Sequence, residues 1–162
     1  MKTYRPSVAP MIKGDKFSLN QCPQNDLERE RMKDIPYSST MGSLMYVMIC
    51  TRSAISYAVG MLGRYVSNPD MDHWVTAKKV MHYLQGTKDY MLTYRATNQL
   101  EVIGYSDSDF SSCLDSRKST SGYVFLLAGG AISWKSKKLT CVSTSTMETE
   151  FVACFEATSM VI

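Results

Sequence analysis

The segment Tyr105-Ser-Asp107-Ser-Asp109 carries two carboxylates at i and i+2. It closes the run Glu101-Val-Ile-Gly-Tyr105, whose β-branched and aromatic residues predict a short strand. With a strand's period of two, Asp107 and Asp109 share a face with Ile103 and Tyr105. Hard oxygen ligands on a rigid element are what a divalent cation takes. The plainer reading of the same residues is a solvated Asp-Ser-Asp turn. A second acidic pair, Glu148 and Glu150, opens the last apolar segment. Ser145 and Glu148 have capping-box spacing, which assigns Glu148 to the backbone N–H groups of a helix start. Glu150 lies about 200° further round that helix and points elsewhere. It can reach a strand-end aspartate and share a metal, or serve as an ordinary early-helix glutamate favoured by the dipole.

The elements that must position these groups fall into two kinds. The first two dozen residues, rich in Pro, Lys and Ser, have no periodicity and read as an extended lead-in. Asn25, with Glu28 three residues on, predicts a short capped helix ending before Pro36. Ser38 or Ser39 is expected to cap a second helix through Cys50, with Leu44, Met45, Met48 and Ile49 at helical spacing. Ser53 is expected to cap a third, closed by Ser67-Asn-Pro-Asp70. A fourth runs from near Asp72 to Gln85, with Trp74, Ala77, Val80, Met81 and Leu84 on one stripe and Gly86 as its C′ glycine. After Tyr90 the pattern becomes strand-like. Met91–Arg95 and Glu101–Tyr105 are short strands by composition, and Gly122–Leu127 with Ala131–Trp134 forms a hairpin about Gly129-Gly130. The final helix is expected to turn Phe151, Val152 and Phe155 inward. Helices, then antiparallel strands, then a helix make an α+β arrangement.

Composition narrows the rest. The chain has 162 residues, 44% hydrophobic and 20% charged, which excludes disordered and collagen-like classes. The N-terminus lacks an apolar signal core, and no apolar run approaches the roughly 18 residues of a membrane span. Five cysteines without CxxC spacing read as free thiols in a reducing, intracellular compartment. Residues 1–100 carry a net charge of +5 and residues 101–162 a net −2, giving +3 for the chain. His73 and His82, nine apart or about 2.5 turns, lie on opposite helix faces and make no metal pair. The twelve methionines read as core filler.

Longer motifs carry a resemblance. GYSDSDF, DSRKSTSGYVFLLAGGAISWKSKK and STSTMETEFVACFEA resemble the ribonuclease H segment of copia-type LTR-retrotransposon Pol polyproteins, plant elements above all. PYSSTMGSLMYVMICTRSAISYAVGMLGRYVSNP and HWVTAKKVMHYLQGTKDYMLTY resemble the thumb and connection that follow the reverse-transcriptase palm. The resemblance covers nearly the whole chain. It implies three parts: a lead-in with a short helix over 1–36, a helical thumb/connection region over 37–88, and a truncated ribonuclease H-like domain over 89–162. The implied fold is a mixed sheet, its first three strands antiparallel, with flanking helices. The implied activity is hydrolysis of the RNA strand of RNA–DNA hybrids with two Mg²⁺ ions. By position, Asp107 matches the first metal-binding aspartate, Glu150 the helix glutamate, and Asp109 a secondary acidic position. Two ions clamp the scissile phosphate, activate water and stabilise the leaving oxygen. Arg117, Lys118, Lys135, Lys137 and Lys138 would then contact substrate phosphates, or form an ordinary solvated face.

The sequence also departs from that family. Its third catalytic aspartate follows a fourth strand, and this chain ends at SMVI inside the preceding helix. The Tyr-x-Asp-Asp motif of the polymerase palm is absent. Ser53-Ala54 stand for the usual Pro-Asp, Phe110-Ser111 for Trp-Ala, and Leu139 for Gln. The expectation is a polyprotein piece that is not a competent nuclease alone. The alternative is an inactive relic or domesticated fragment that binds nucleic acid weakly. Expected partners are an RNA–DNA hybrid and the rest of the Pol polyprotein, with no membrane. The expected location is cytoplasmic, in the family's virus-like particles, or nuclear, and not secreted.

Overall fold

A computed structural model describes residues 8–12, 15–98 and 100–160. Among the described residues the architecture is mixed α+β: four N-terminal helices, a three-stranded antiparallel sheet and a C-terminal helix. Two compact units, Met1–Tyr90 and Met91–Ile162, divide the chain.

In the first unit, helix α1 (Asp26–Lys33) starts where the Asn25 side chain accepts the Glu28 N–H at 2.8 Å. The Glu28 carboxylate returns to the Gln24 N–H at 2.8 Å, one residue before the cap itself. Helix α2 (Tyr37–Cys50) begins directly after Pro36, earlier than a Ser38 or Ser39 cap would place it. Pro36 serves as its N-cap position, and buried Tyr37, the first helical residue, donates its hydroxyl to the Leu62 carbonyl at 3.0 Å. The inward stripe is Tyr37, Met41 and Leu44, at i, i+4 and i+7, and Ile49 faces outward at 69% exposure. Ser53 does not cap a helix. It opens a 3-10 turn, Ser53–Ile55, before α3 (Ser56–Leu62) and a second such turn, Gly63–Tyr65.

Helix α4 (Met71–Gly86) is capped by Asp70 and runs through Gly86 to a C-cap at Thr87. Ala77 and Val80 are fully buried, with Trp74, Met81 and Leu84 packed against the same core. Arg52 binds the end of this helix, donating to the Thr87 carbonyl at 2.7 Å. The lead-in contributes to the core as well: Phe17 is buried, and Asp15 pairs with Lys79 at 2.9 Å. The rest of the expected lead-in, residues 1–7 and 13–14, lies outside the described residues.

The second unit is a meander of β1 (Val102–Asp109), β2 (Thr120–Leu127) and β3 (Gly130–Lys138), in spatial order β1-β2-β3. Ala128 and Gly129, with φ of 49° and 80°, form the two-residue hairpin turn between β2 and β3. Positive φ at both positions matches the right-handed twist of the flanking strands. Met91–Arg95 is not a strand. It is held by a side chain instead, Tyr94 donating its hydroxyl to the Ala131 carbonyl at 2.7 Å.

Helix α5 (Thr146–Thr158) lies over β1 and β2. Its buried stripe is Thr149, Ala153 and Ala157, with Val152 half-buried, while Phe151 and Phe155 are 72% and 66% exposed. The expectation of inward phenylalanines is thereby corrected. Threonine and alanine at i, i+4 and i+8 let the helix backbone come close to the sheet, whereas phenylalanines there would hold it away.

Candidate acidic and basic site in the second unit

Asp107 and Asp109 lie within β1, so the Asp-Ser-Asp segment is strand and not a solvated turn. Asp107 stands opposite Gly122 and Asp109 opposite Thr120, both exposed. The Ser108 N–H donates to the Asp107 carboxylate at 2.8 Å. Glu150 is exposed in the second turn of α5.

Its neighbour Glu148 is committed to the helix start. The Ser145 hydroxyl accepts the Glu148 N–H at 3.1 Å, and the Glu148 carboxylate accepts the Thr144 N–H at 2.6 Å and its hydroxyl at 2.9 Å. These Thr144 bonds favour the charged carboxylate and hold its pKa below the ordinary value. The local fold therefore separates the two glutamates: Glu148 serves the backbone and Glu150 is presented outward.

A buried hydroxyl seam joins the loop after β1 to this helix start. The Ser111 N–H donates to the Ser119 Oγ at 3.0 Å, and the Ser119 and Thr149 hydroxyls lie 3.3 Å apart. Thr149 in turn donates to the Ser145 carbonyl at 3.0 Å. Each hydroxyl has one proton. Because Thr149 gives its proton to Ser145, Ser119 must give its own to Thr149. The order is Ser111 N–H to Ser119, Ser119 to Thr149, Thr149 to Ser145. Ser119 and Thr149 are both fully buried. Sequence reasoning missed them, the available signal being no more than hydroxyl residues in RKSTSG and STSTMETE.

The five basic candidates do not form one patch. Arg117 and Lys118 sit in the β1–β2 loop, where Arg117 holds a φ of 53° and its N–H reaches the Cys113 carbonyl at 2.7 Å. Lys135 and Lys137 share a face of β3, opposite Tyr123 and Ser121, and Lys138 alternates to the other face. Lys135 and Lys137 line a cleft of about 160 Å³ with Ser121, Tyr123 and Glu156. There Glu156 accepts from the Ser121 hydroxyl at 3.0 Å and lies 3.6 Å from Lys137. Glu156 thus offsets part of the positive charge of the cleft.

Among the described residues, no three His, Cys, Asp or Glu side chains come together in a group that could hold a metal ion. Asp107 and Glu150 supply two carboxylates. Magnesium dehydrates reluctantly and needs carboxylates together with substrate oxygens. The residues present do not by themselves fit a two-ion centre.

Comparison with known proteins supplies a lineage. No family model matches the chain, and no solved structure matches it. The chain is 42% identical over 156 residues, 96% of its length, to the retrovirus-related Pol polyprotein from transposon TNT 1-94 of Nicotiana tabacum. It is 36% identical over 151 residues, 93% of its length, to that from transposon RE2 of Arabidopsis thaliana. It spans 12% and 10% of those two polyproteins. It is also 44% identical over 127 residues to secreted RxLR effector protein 161 of Plasmopara viticola, covering 78% of this chain and 89% of that protein. Among the described residues no helix is long and apolar enough to cross a membrane. With one relative named as secreted, kinship does not assign the chain to the intracellular location expected from its sequence. Over most of its length the chain is homologous to copia-type retrotransposon Pol polyproteins.

Proposed function

We propose that this chain is the part of a transposon Pol polyprotein joining the helical region after the reverse-transcriptase palm to the first part of a ribonuclease H-like domain. The observation that carries this reading is the order of the second unit. An antiparallel meander holds Asp107 in its first strand, and the helix that follows lies on that strand and carries Glu150. In the longer polyprotein these two carboxylates, with Asp109 as a secondary contributor, form part of a Mg²⁺-dependent site that hydrolyses the RNA strand of an RNA–DNA hybrid. The remaining ligands come from polyprotein residues outside this sequence. Lys135 and Lys137, with Arg117 and Lys118 in the loop and Lys138 on the opposite face, meet substrate phosphates.

The test uses a labelled RNA–DNA hybrid with Mg²⁺ or Mn²⁺. The chain alone is expected to leave the hybrid intact. The chain extended by the following segment of a polyprotein relative is expected to cleave it, and Asp107→Asn in that extended chain is expected to abolish cleavage. An extended chain whose cleavage survives Asp107→Asn would remove Asp107 from the site. Cleavage by the unextended chain would show that no outside ligand is needed.

A second reading is a relic that binds nucleic acid without turnover. The exposed Lys135 and Lys137 on one face favour it. Hybrid binding that weakens steeply with salt, with no cleavage even after extension, would support this reading over the first.

A further inference from the structure

His73 sits fully buried in the first turn of α4. Its ring stacks on Tyr65, with centroids 4.3 Å apart and planes 26° from parallel, and lies 5.1 Å from the Phe17 ring. Its Nδ1 accepts the Asp70 N–H at 2.9 Å, the return half of a reciprocal cap in which the Asp70 side chain receives the His73 N–H. An accepting Nδ1 carries no proton, so the neutral ring holds its proton on Nε2. Among the described residues that buried Nε2 has no hydrogen-bonding partner.

Adding a second proton conflicts with this arrangement. It converts Nδ1 from an acceptor into a donor facing the Asp70 N–H, which ends that half of the cap. It also buries a full charge, and among the described residues its other N–H has no partner. Ring faces attract a cation, and the Asp70 and Asp72 carboxylates favour one, but burial is the largest influence and holds the pKa of His73 below its ordinary value. The lead-in presents Phe17 to the ring and the 3-10 turn presents Tyr65. The lead-in carboxylate of Asp15 is paired with Lys79.

We propose that His73 is an acid-sensitive latch on the first unit: proton uptake by its ring breaks the reciprocal cap at the start of α4 and releases the Phe17 segment and the Tyr65 turn. The sign follows from linkage. Below about pH 6.5 the unfolded chain gains a histidine proton that the folded chain resists. Stability is therefore full above that pH and falls as the pH drops towards the lowered pKa of the folded state. Across that window the unfolding constant rises by up to about tenfold per pH unit.

The test is denaturant unfolding of the full chain between pH 7.5 and 5, with and without His73→Gln. Glutamine at this position keeps an acceptor for the Asp70 N–H, as in a capping box, and does not titrate. The native chain is expected to lose stability on acidification and the variant to lack that component. An equal loss in both would overturn the proposal. NMR of His82→Gln, in which His73 is the sole imidazole, guards against a variant that does not fold. Titration of His73 below its ordinary value, together with changes in Phe17 and Tyr65 resonances, is expected. Titration at or above the ordinary value, or protonation that leaves those rings unmoved, would also overturn it.

Discussion

The hydroxyls of Ser119 and Thr149 lie 3.3 Å apart at the buried junction between the β1–β2 loop and the start of α5. They are 30 residues apart in sequence, yet they fix the helix that presents Glu150 against the loop that follows Asp109. Ser119→Ala leaves the Ser111 N–H without its acceptor and Thr149 without its donor. The expected loss is about 1–3 kcal/mol, in the range for an unsatisfied buried group. Thr149→Val should cost a similar amount, and the double variant less than the sum, because both remove one shared bond. Denaturant titration followed by Trp134 fluorescence in a Trp74→Phe background reads the second unit selectively.

Gly104 in β1 admits the Phe125 ring. A Cβ at Gly104 would lie 2.5 Å from the Phe125 ring carbon Cε1, so the ring must move. Gly104→Ala is expected to destabilise the second unit by about 1–3 kcal/mol, the usual range for overpacking. Adding Phe125→Leu should recover part of that loss. A fully additive pair, measured in the same denaturation assay, would contradict the contact.

Tyr37 is buried and gives its hydroxyl proton to the Leu62 carbonyl. Desolvation, with smaller contributions from Cys22 and Tyr65, pushes its pKa well above the ordinary tyrosine value. The unfolded chain releases the Tyr37 proton near pH 10, while the folded chain retains it. Its stabilising contribution is thus complete below pH 10 and declines above it. Tyr37→Phe is expected to cost about 0.5–1.5 kcal/mol at neutral pH and to reduce the alkaline loss. Unfolding curves recorded from pH 8 to 11 check both effects.

On the proposed nucleic-acid role, Lys135→Ala and Lys137→Ala should weaken hybrid binding without regard to base sequence. Each lost phosphate contact is expected to reduce the slope of log affinity against log salt by about 1. Lys137 starts from its ion pair with Glu156, so its effect should be the smaller of the two. Glu156→Gln should strengthen binding by releasing that lysine. Fluorescence anisotropy across a salt series measures all three.

The features legible in the sequence are those whose partners lie within about four residues. Asn25 with Glu28 and Ser145 with Glu148 cap their helices because a side-chain oxygen can reach an N–H one turn away. The hairpin of β2 and β3 was legible from strand composition flanking a glycine turn, although the turn falls on Ala128-Gly129, one residue before Gly129-Gly130, and the stripe around Ala77 and Val80 follows from a 3.6-residue period. The positions of Asp107 in a strand and Glu150 in the following helix were readable for the same reason. In each case the carboxylate goes where the local element carries it.

Tertiary structure decided the remainder. The burial of Tyr37 at the start of α2 depends on its bond to Leu62, 25 residues away. Met91–Arg95 has strand-forming residues but, among the described residues, no ladder partner, and the Tyr94 hydroxyl fixes it instead. The period of α5 allows either of two faces to be buried, and close approach to the sheet selects Thr149, Ala153 and Ala157 over Phe151 and Phe155. Hydrophobicity alone cannot make that choice, because the space left beneath the helix is set by residues on other strands. For the same reason the sequence by itself determined most of the elements and which carboxylates they bear, while only the packed chain decided that Met91–Arg95 forms no strand, which faces the elements bury and the seam that holds Glu150 in place.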